Sequence, residues 1–326
     1  MIISRTPLRI SIGGGGTDLP SYYSLSPGFV LSAAINKYIF IAINETFTDD
    51  YFLKYSAIER ATSPADIEHP IIREALLAHS IGPAIEVVSL ADIPAGTGLG
   101  SSGAFTVGLL RAIYAYKREA VTVSALADEA CRIEIERLGR PIGKQDQYIA
   151  AFGGLTCFEF DADGSVRVSP LAIANRTLHD LEENLLMFFT GYSRGADDVL
   201  LEQDQRSEAG DKAMIANLDY IRSLGLQTKV ALEQGDVIQF GEIMNEHWAH
   251  KKRRSSSMSN SVIDHCYEVA LTNGAVGGKL VGAGAGGFLL FYAKDRQALR
   301  SAMGKEGLPE VRFRFDHDGS HVLVRE

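Results

Sequence analysis

Residues 94–110 read PAGTGLGSSGAFTVGLL, four glycines and two serines crowded ahead of a segment, 104–117, that is apolar nearly all round. The residues before it, IEVVSLADIP, have strand character, and the apolar segment reads as a buried helix. A glycine-rich turn between them lets the backbone take positive φ and approach a ligand closely. The helix start turns free N–H groups and a partial positive charge toward that ligand. Together these features suit a phosphate. Ser101 and Ser102 add hydroxyls for phosphate oxygen or a divalent cation. A tight strand-to-helix turn with a serine cap is the plainer reading, but one turn does not need Gly96, Gly98, Gly100 and Gly103 together.

Gly98, Gly100 and Gly103 also satisfy G-x-G-x-x-G, but so do Gly282, Gly284 and Gly287, which shows how permissive the expression is. A dinucleotide fingerprint needs an acidic residue closing a second strand. Glu119 lies at a suitable distance, yet in a polar segment that follows a helix. A dinucleotide-dependent oxidoreductase is therefore the weaker reading. No G-x-x-x-x-G-K-[ST] loop occurs.

Working outward, the 326 residues carry 32 Lys+Arg against 41 Asp+Glu, a net charge of −9, with 46% hydrophobic and 22% charged residues. That is a globular composition, and its acidity speaks against a non-specific nucleic-acid binder. Cys131, Cys157 and Cys266 are scattered and unpaired in spacing, as expected of reduced thiols. Arg5 and Arg9 interrupt the apolar N-terminal run, and no window offers 18 apolar residues, so neither a signal peptide nor a membrane span is expected. A cytoplasmic location is the expectation, with a monomer or homodimer as the assembly.

Strand-like runs at 2–12, 29–33, 37–43 and 85–91 alternate irregularly with helical segments at 62–80, 104–117 and 124–138. A hairpin is expected around Asp163-Gly164 and another around Asp318-Gly319. Without a repeating βαβ unit, α+β is favoured. The looser pattern at 170–184 places a domain boundary, giving units 1–175 and 176–326.

Two further glycine loops stand out. RISIGGGGTDLP (9–20) pairs Arg9 with Asp18 across four glycines, a carboxylate placed to bond hydroxyls or simply to cap the turn. GGKLVGAGAGGFLLF (277–291) is expected to lie against the 94–110 loop, where glycine lets two backbones meet. On a helical wheel for 125–138, Glu134 falls at the centre of the apolar face and Glu136 opposite. A buried carboxylate needs a partner, a metal ion or a buried arginine. Asp146 follows in the turn Gly143-Lys144-Gln145-Asp146, and with Arg9 and Glu134 it completes what phosphoryl transfer asks for.

These segments resemble the three motifs of the GHMP kinase superfamily (galactokinase, homoserine kinase, mevalonate kinase and phosphomevalonate kinase), in order and across nearly the whole chain. PAGTGLGSSGA is similar to the family's P-x-x-x-G-L-G-S-S-A, with Gly103 ahead of the usual alanine. Pro7, Arg9, Thr17 and Asp18 match the first motif, and Glu134, Gly139, Pro141, Gly143 and Asp146 match the second. KLVGAGAGG matches the third, with Ala285 where many members have glycine. GGGGTDLPSYY, IGKQDQYIAAFGG, FTGYSRGA and EHWAHKK look most like the kinases of D-glycero-D-manno-heptose 7-phosphate, with an L-fucokinase-like sugar 1-kinase as the nearest alternative.

The resemblance implies a two-domain fold, a ribosomal-protein-like N-terminal unit and a ferredoxin-like C-terminal one, with ATP and Mg²⁺ between them and a sugar phosphate as acceptor. It implies Asp146 and Arg9 as catalytic residues. It assigns Gly96, Gly98, Leu99, Gly100, Ser101, Ser102, Gly103 and Gly284 to the nucleotide, and Ser102 and Glu134 to the metal. Gly15, Gly16, Thr17 and Asp18 are expected to meet the sugar. Its phosphate would need cations, which Lys252, in the basic run 251–254, and Arg194 are expected to supply.

Overall fold

The structure, a computed structural model, describes the backbone of residues 1–191, 197–284 and 286–326. Eleven strands occur among the described residues: β1 (Ile2–Gly13), β2 (Gly28–Glu45), β3 (Tyr51–Lys54), β4 (Ile58–Ala61), β5 (Ile85–Ala91), β6 (Leu155–Phe160), β7 (Val166–Pro170), β8 (Leu185–Phe189), β9 (Ala275–Leu280), β10 (Phe288–Ala293) and β11 (His321–Arg325). One sheet runs β11-β1-β2-β5-β3-β4, and a second, three-stranded sheet runs β8-β10-β9. The α+β expectation holds.

The 18-residue β2 organises the larger sheet: residues 28–33 pair with β6 and residues 39–45 with β5, while β1 runs alongside both halves. The sequence reads as two strands here, 29–33 and 37–43, with a gap at 34–36. The structure carries one strand through that gap, with a register shift against β1 at Pro7/Leu8. The hairpin at Asp163-Gly164 forms, joining β6 to β7. The expected hairpin at Asp318-Gly319 does not: β11 pairs with β1, Ile2 facing Arg325. The last strand thus packs in the sheet of the N-terminal half. The largest buried cluster also joins residues of both halves, Ile10 and Leu110 with Leu232 and Phe288.

The helix Ser101–Lys117 starts directly from Gly100, whose φ of 74° no β-carbon-bearing residue adopts readily, and eleven of its residues are buried. It lies on the sheet, where Ser4 Oγ donates to Gly108 O at 2.8 Å. The segment Val123–Cys131 is an α-helix that widens into a single π-turn over Arg132–Arg137. Such turns are uncommon and cluster at functional sites. The long helices Lys212–Gln234 and Val237–Lys251 cover the second half. All three cysteines are buried and free. No helix among the described residues is long and apolar enough to cross a membrane.

Candidate active site

A cleft of about 750 Å³ lies between the two sheets' loops. Its middle is built by the first two glycine loops and by the turn that carries Asp146. Arg9, within β1, is almost wholly buried. Its guanidinium holds Asp146 by two bonds, Nε to Oδ1 at 2.7 Å and Nη2 to Oδ2 at 2.9 Å, the fork geometry that makes such pairs strong. Nη1 donates to Gly98 O at 2.5 Å, and the backbone N–H of Arg9 donates to Leu99 O at 3.0 Å. One arginine therefore ties the glycine loop to the aspartate. A β-carbon at Gly103 would come within 2.8 Å of Asp146 Cβ, so the absent side chain is what lets the helix start approach the Asp146 turn.

The third loop lies against the second as the sequence suggests. A β-carbon at Gly98 (φ +83°) would stand 2.6 Å from Val281 O, and one at Gly282 would stand 2.4 Å from Gly98 Cα. Gly98→Ala accordingly carries both a left-handed backbone cost and a backbone collision, together at least ~1 kcal/mol. It is expected to raise the KM for ATP at least tenfold while shifting the sugar KM little, in initial-rate measurements with each substrate varied in turn.

Glu134 is fully buried and lies behind the cleft wall, reached through Ser102. Its carboxylate accepts from Thr106 Oγ1 at 3.0 Å, Gln147 Nε2 at 2.8 Å and Arg140 Nη1 at 2.7 Å, and from the Ser102 hydroxyl. Burial pushes its pKa up, and the nearby Arg140 charge works against that. Both sequence alternatives, metal partner and buried ion pair, meet at this side chain. Asp18 is buried, its oxygens accepting from Gly16 N and Gln145 N, each at 3.1 Å. Burial raises its pKa, the Gln145 amide opposes the shift, and the negative charge of Asp146 adds to it. A carboxylate from the first loop is thus fastened to the turn that presents Asp146.

Gly15, Gly16, Asp18, Gly96, Gly98, Gly100, Ser101, Ser102, Arg9 and Asp146 line the cleft. Several expected residues do not. The Thr17 hydroxyl donates to Gly14 O and Phe29 O, both at 2.9 Å, so it braces the first turn from behind. Leu99 is a core side chain that offers only its carbonyl to Arg9. Gly284 abuts Met258, and Gly282 and Ala283 reach the cleft in its place. Lys252 does not line the cleft either: it is partly exposed and pairs with Asp264 at 2.9 Å. Its neighbours Lys251 and Arg254 line the cleft, with Lys279 from β9 and His247. Arg194 and Ala285 lie outside the described residues.

The opposite end of the cleft was not foreseen. There His69 stacks on Phe105 at 4.9 Å and meets the Tyr55 ring edge-on at 4.7 Å, beside Ile71 and Ile93. Burial lowers the His69 pKa, favouring a neutral ring. This end is a flat, apolar slot of the kind that holds a heterocyclic base.

The model of the GHMP kinase N-terminal domain matches residues 70–154, and that of the C-terminal domain matches residues 228–309. The D-glycero-alpha-D-manno-heptose 7-phosphate kinase of Campylobacter jejuni is 32% identical over 98% of this chain and 97% of its own. The crystal structure of a D-glycero-D-manno-heptose 1-phosphate kinase from Bacteroides thetaiotaomicron superposes with a TM-score of 0.81 at 26% identity, covering 99% of each chain. The L-fucokinase/L-fucose-1-P guanylyltransferase of Bacteroides fragilis is 26% identical over 97% of this chain and 37% of its own. A nucleotide-sized cleft with a glycine loop, a helix start and an arginine-held aspartate is that of a phosphotransferase. The chain belongs to the GHMP kinases, which use ATP as the phosphate donor.

Proposed function

We propose that the protein transfers the γ-phosphoryl group of ATP to the anomeric hydroxyl of D-glycero-D-manno-heptose 7-phosphate, giving the 1,7-bisphosphate, a precursor of nucleotide-activated heptose for polysaccharide synthesis. The observation that carries the chemistry is the forked Arg9–Asp146 pair against the start of the Ser101–Lys117 helix. The sugar class rests on the likeness to the heptose kinases.

The base lies in the slot of Tyr55, His69 and Phe105, and the triphosphate follows Gly96–Ser102 to the helix start, where free N–H groups face it. Asp146 takes the proton of the anomeric hydroxyl while that oxygen bonds to the γ-phosphorus. The bond from the γ-phosphorus to the bridging oxygen breaks, and ADP leaves with that electron pair. Arg9 holds the Asp146 carboxylate in place and offsets charge on the moving phosphoryl group. Asp18 holds the acceptor by its hydroxyls.

Mg²⁺ fits this site: Ser102 presents a hydroxyl at the wall with the Glu134 carboxylate hydrogen-bonded behind it, both hard oxygen donors. Held by Ser102 and Glu134, such an ion would supply positive charge that offsets the charge of the phosphates.

ADP formation with heptose 7-phosphate, unphosphorylated heptose, L-fucose and D-galactose as acceptors tests the reading, with phosphorus NMR locating the new ester. Heptose 7-phosphate is expected to give the highest kcat/KM and a C1 phosphate. A faster reaction with L-fucose would move the protein to the fucokinases.

A further inference from the structure

Five cationic side chains line the cleft, and two are accounted for: Arg9 pairs with Asp146 and Arg140 with Glu134. The other three, Lys251, Arg254 and Lys279, are each more than nine-tenths buried. Among the described residues none of them makes an ion pair with a carboxylate. Lys279 Nζ donates to Ile12 O at 2.8 Å and lies 3.4 Å from His247 Nδ1. Arg254 donates to Gly15 O at 3.2 Å, Gln203 Oε1 at 3.0 Å and Asn217 Oδ1 at 3.0 Å. Lys251 reaches Leu280 O at 3.2 Å and Gly282 O.

Burial depresses all three; neighbouring cations add to the shift of Lys251, to about 7, and of Lys279, whereas the Asp18 carboxylate works against burial at Arg254, which falls to about 10. Taking like charges out of water beside one another costs stability unless something negative completes the site. The wall nearby also holds an unused donor. Ser11 is buried, its hydroxyl has no partner, and it sits beside Gly15, whose carbonyl Arg254 grips.

Position separates the three. Lys251 holds Gly282, on the loop that abuts Gly98, and therefore faces the triphosphate path. Arg254 and Lys279 hold Gly15 and Ile12 of the first loop, the segment that carries Asp18 to the Asp146 turn.

We infer that Arg254 and Lys279, with the Ser11 hydroxyl, form a subsite for a phosphomonoester dianion on the acceptor, and so decide that the enzyme takes a sugar phosphate rather than a free sugar. The inference rests on the acceptor-kinase reading above and names the residues that set its specificity. The guanidinium fork and the ammonium group each supply charge-assisted bonds to phosphate oxygens, and the serine adds a third donor.

The test takes Arg254→Gln, Lys279→Met and Ser11→Ala, with Arg254→Lys as the conservative partner, each checked for an unchanged circular dichroism spectrum. Arg254→Gln and Lys279→Met are expected to raise the KM for heptose 7-phosphate about 100-fold, and Ser11→Ala about tenfold. KM for ATP stays within about twofold of wild type, since the glycine loop and helix start bind the triphosphate. The preference for heptose 7-phosphate over free heptose collapses toward one, and Arg254→Lys restores part of it. A rise in KM for ATP with that preference intact would overturn the inference and hand the cations to the triphosphate.

Calorimetric titration of inorganic phosphate, with ADP present to occupy the glycine loop, separates the two readings. Weaker phosphate binding in Arg254→Gln supports the subsite even if the wild type leaves heptose 7-phosphate untouched, an outcome that would sink only the heptose assignment. Equal phosphate affinity in wild type and Arg254→Gln overturns the subsite whatever sugar is used.

Discussion

Asp146→Asn lowers kcat by roughly 10²–10⁴, the span for loss of a general base, and leaves the KM for ATP within about twofold. Asparagine keeps the size of the side chain and one oxygen for Arg9 Nε, which holds Asp146 Oδ1 at 2.7 Å in the native protein. What it loses is the carboxylate charge and the second acceptor for Nη2. Arg9 then keeps its bonds to the asparagine oxygen and to the Gly98 carbonyl, but carries an uncompensated charge in a buried position. The glycine loop keeps its backbone path, because Gly98 and Gly100 are set by their own dihedrals and by the third loop. ATP binding therefore survives while proton removal does not. Initial rates with both substrates varied decide the matter. A variant turning over within threefold of wild type would show that Asp146 only positions the acceptor. A parallel loss in ATP affinity would show instead that the Arg9–Asp146 pair is a brace for the loop.

The parts of the site that could be read from the sequence are those set by local rules. Glycine spacing before an apolar helix marks the phosphate loop, and the helical wheel places Glu134 inward and Glu136 outward, as the structure has them. That projection survives a π-turn because the irregularity begins only at Arg132, after the apolar face has been set by Leu126, Ala127 and Ala130. Long-range pairing has no such signature. Nothing local in HVLVR announces that it pairs with β1 rather than with the residues just before it. The aromatic slot, too, gathers Tyr55, His69 and Phe105 from three separate stretches of the chain.

The choice of lysine shows where a local rule goes unused. In the helix Val237–Lys251 the buried residues Phe240, Met244, His247 and Lys251 follow a spacing of four, three and four, a single face at 3.6 residues per turn. That period turns Lys251 inward and Lys252 about 100° away, toward Asp264. Counting charge density in the run selects all four basic residues alike, whereas helical phase separates them. Arg254 lies past the helix end, where phase no longer applies, and only the structure brings it to Gly15.

Glu134→Gln is expected to separate activity from stability in the opposite sense to most buried substitutions. The carboxylate is removed from water entirely, and burial raises its pKa despite four donors around it. Buried ion pairs contribute little net stability, because desolvation offsets their attraction. Glutamine keeps the volume and an oxygen for Thr106 and Ser102, and relieves the desolvation. Arg140, with about a quarter of its side chain exposed, regains water when the charge opposite is gone. The melting temperature should therefore move by no more than ~1 kcal/mol of stability allows, a few degrees. Activity should fall by roughly 10²–10³, comparable to losing one preorganised electrostatic contact to the transferring group. The Mg²⁺ concentration for half-maximal rate should rise at least tenfold, since a neutral amide is a poor ligand for a hard cation. Rates titrated with Mg²⁺ at saturating ATP, beside thermal melts without Mg²⁺, give the two readouts. A lowered melting temperature with an unchanged Mg²⁺ requirement would make Glu134 the counter-ion of Arg140 and nothing more. A preserved fold with a displaced Mg²⁺ curve would show that the protein tolerates a costly buried carboxylate because the ion at Ser102 requires it.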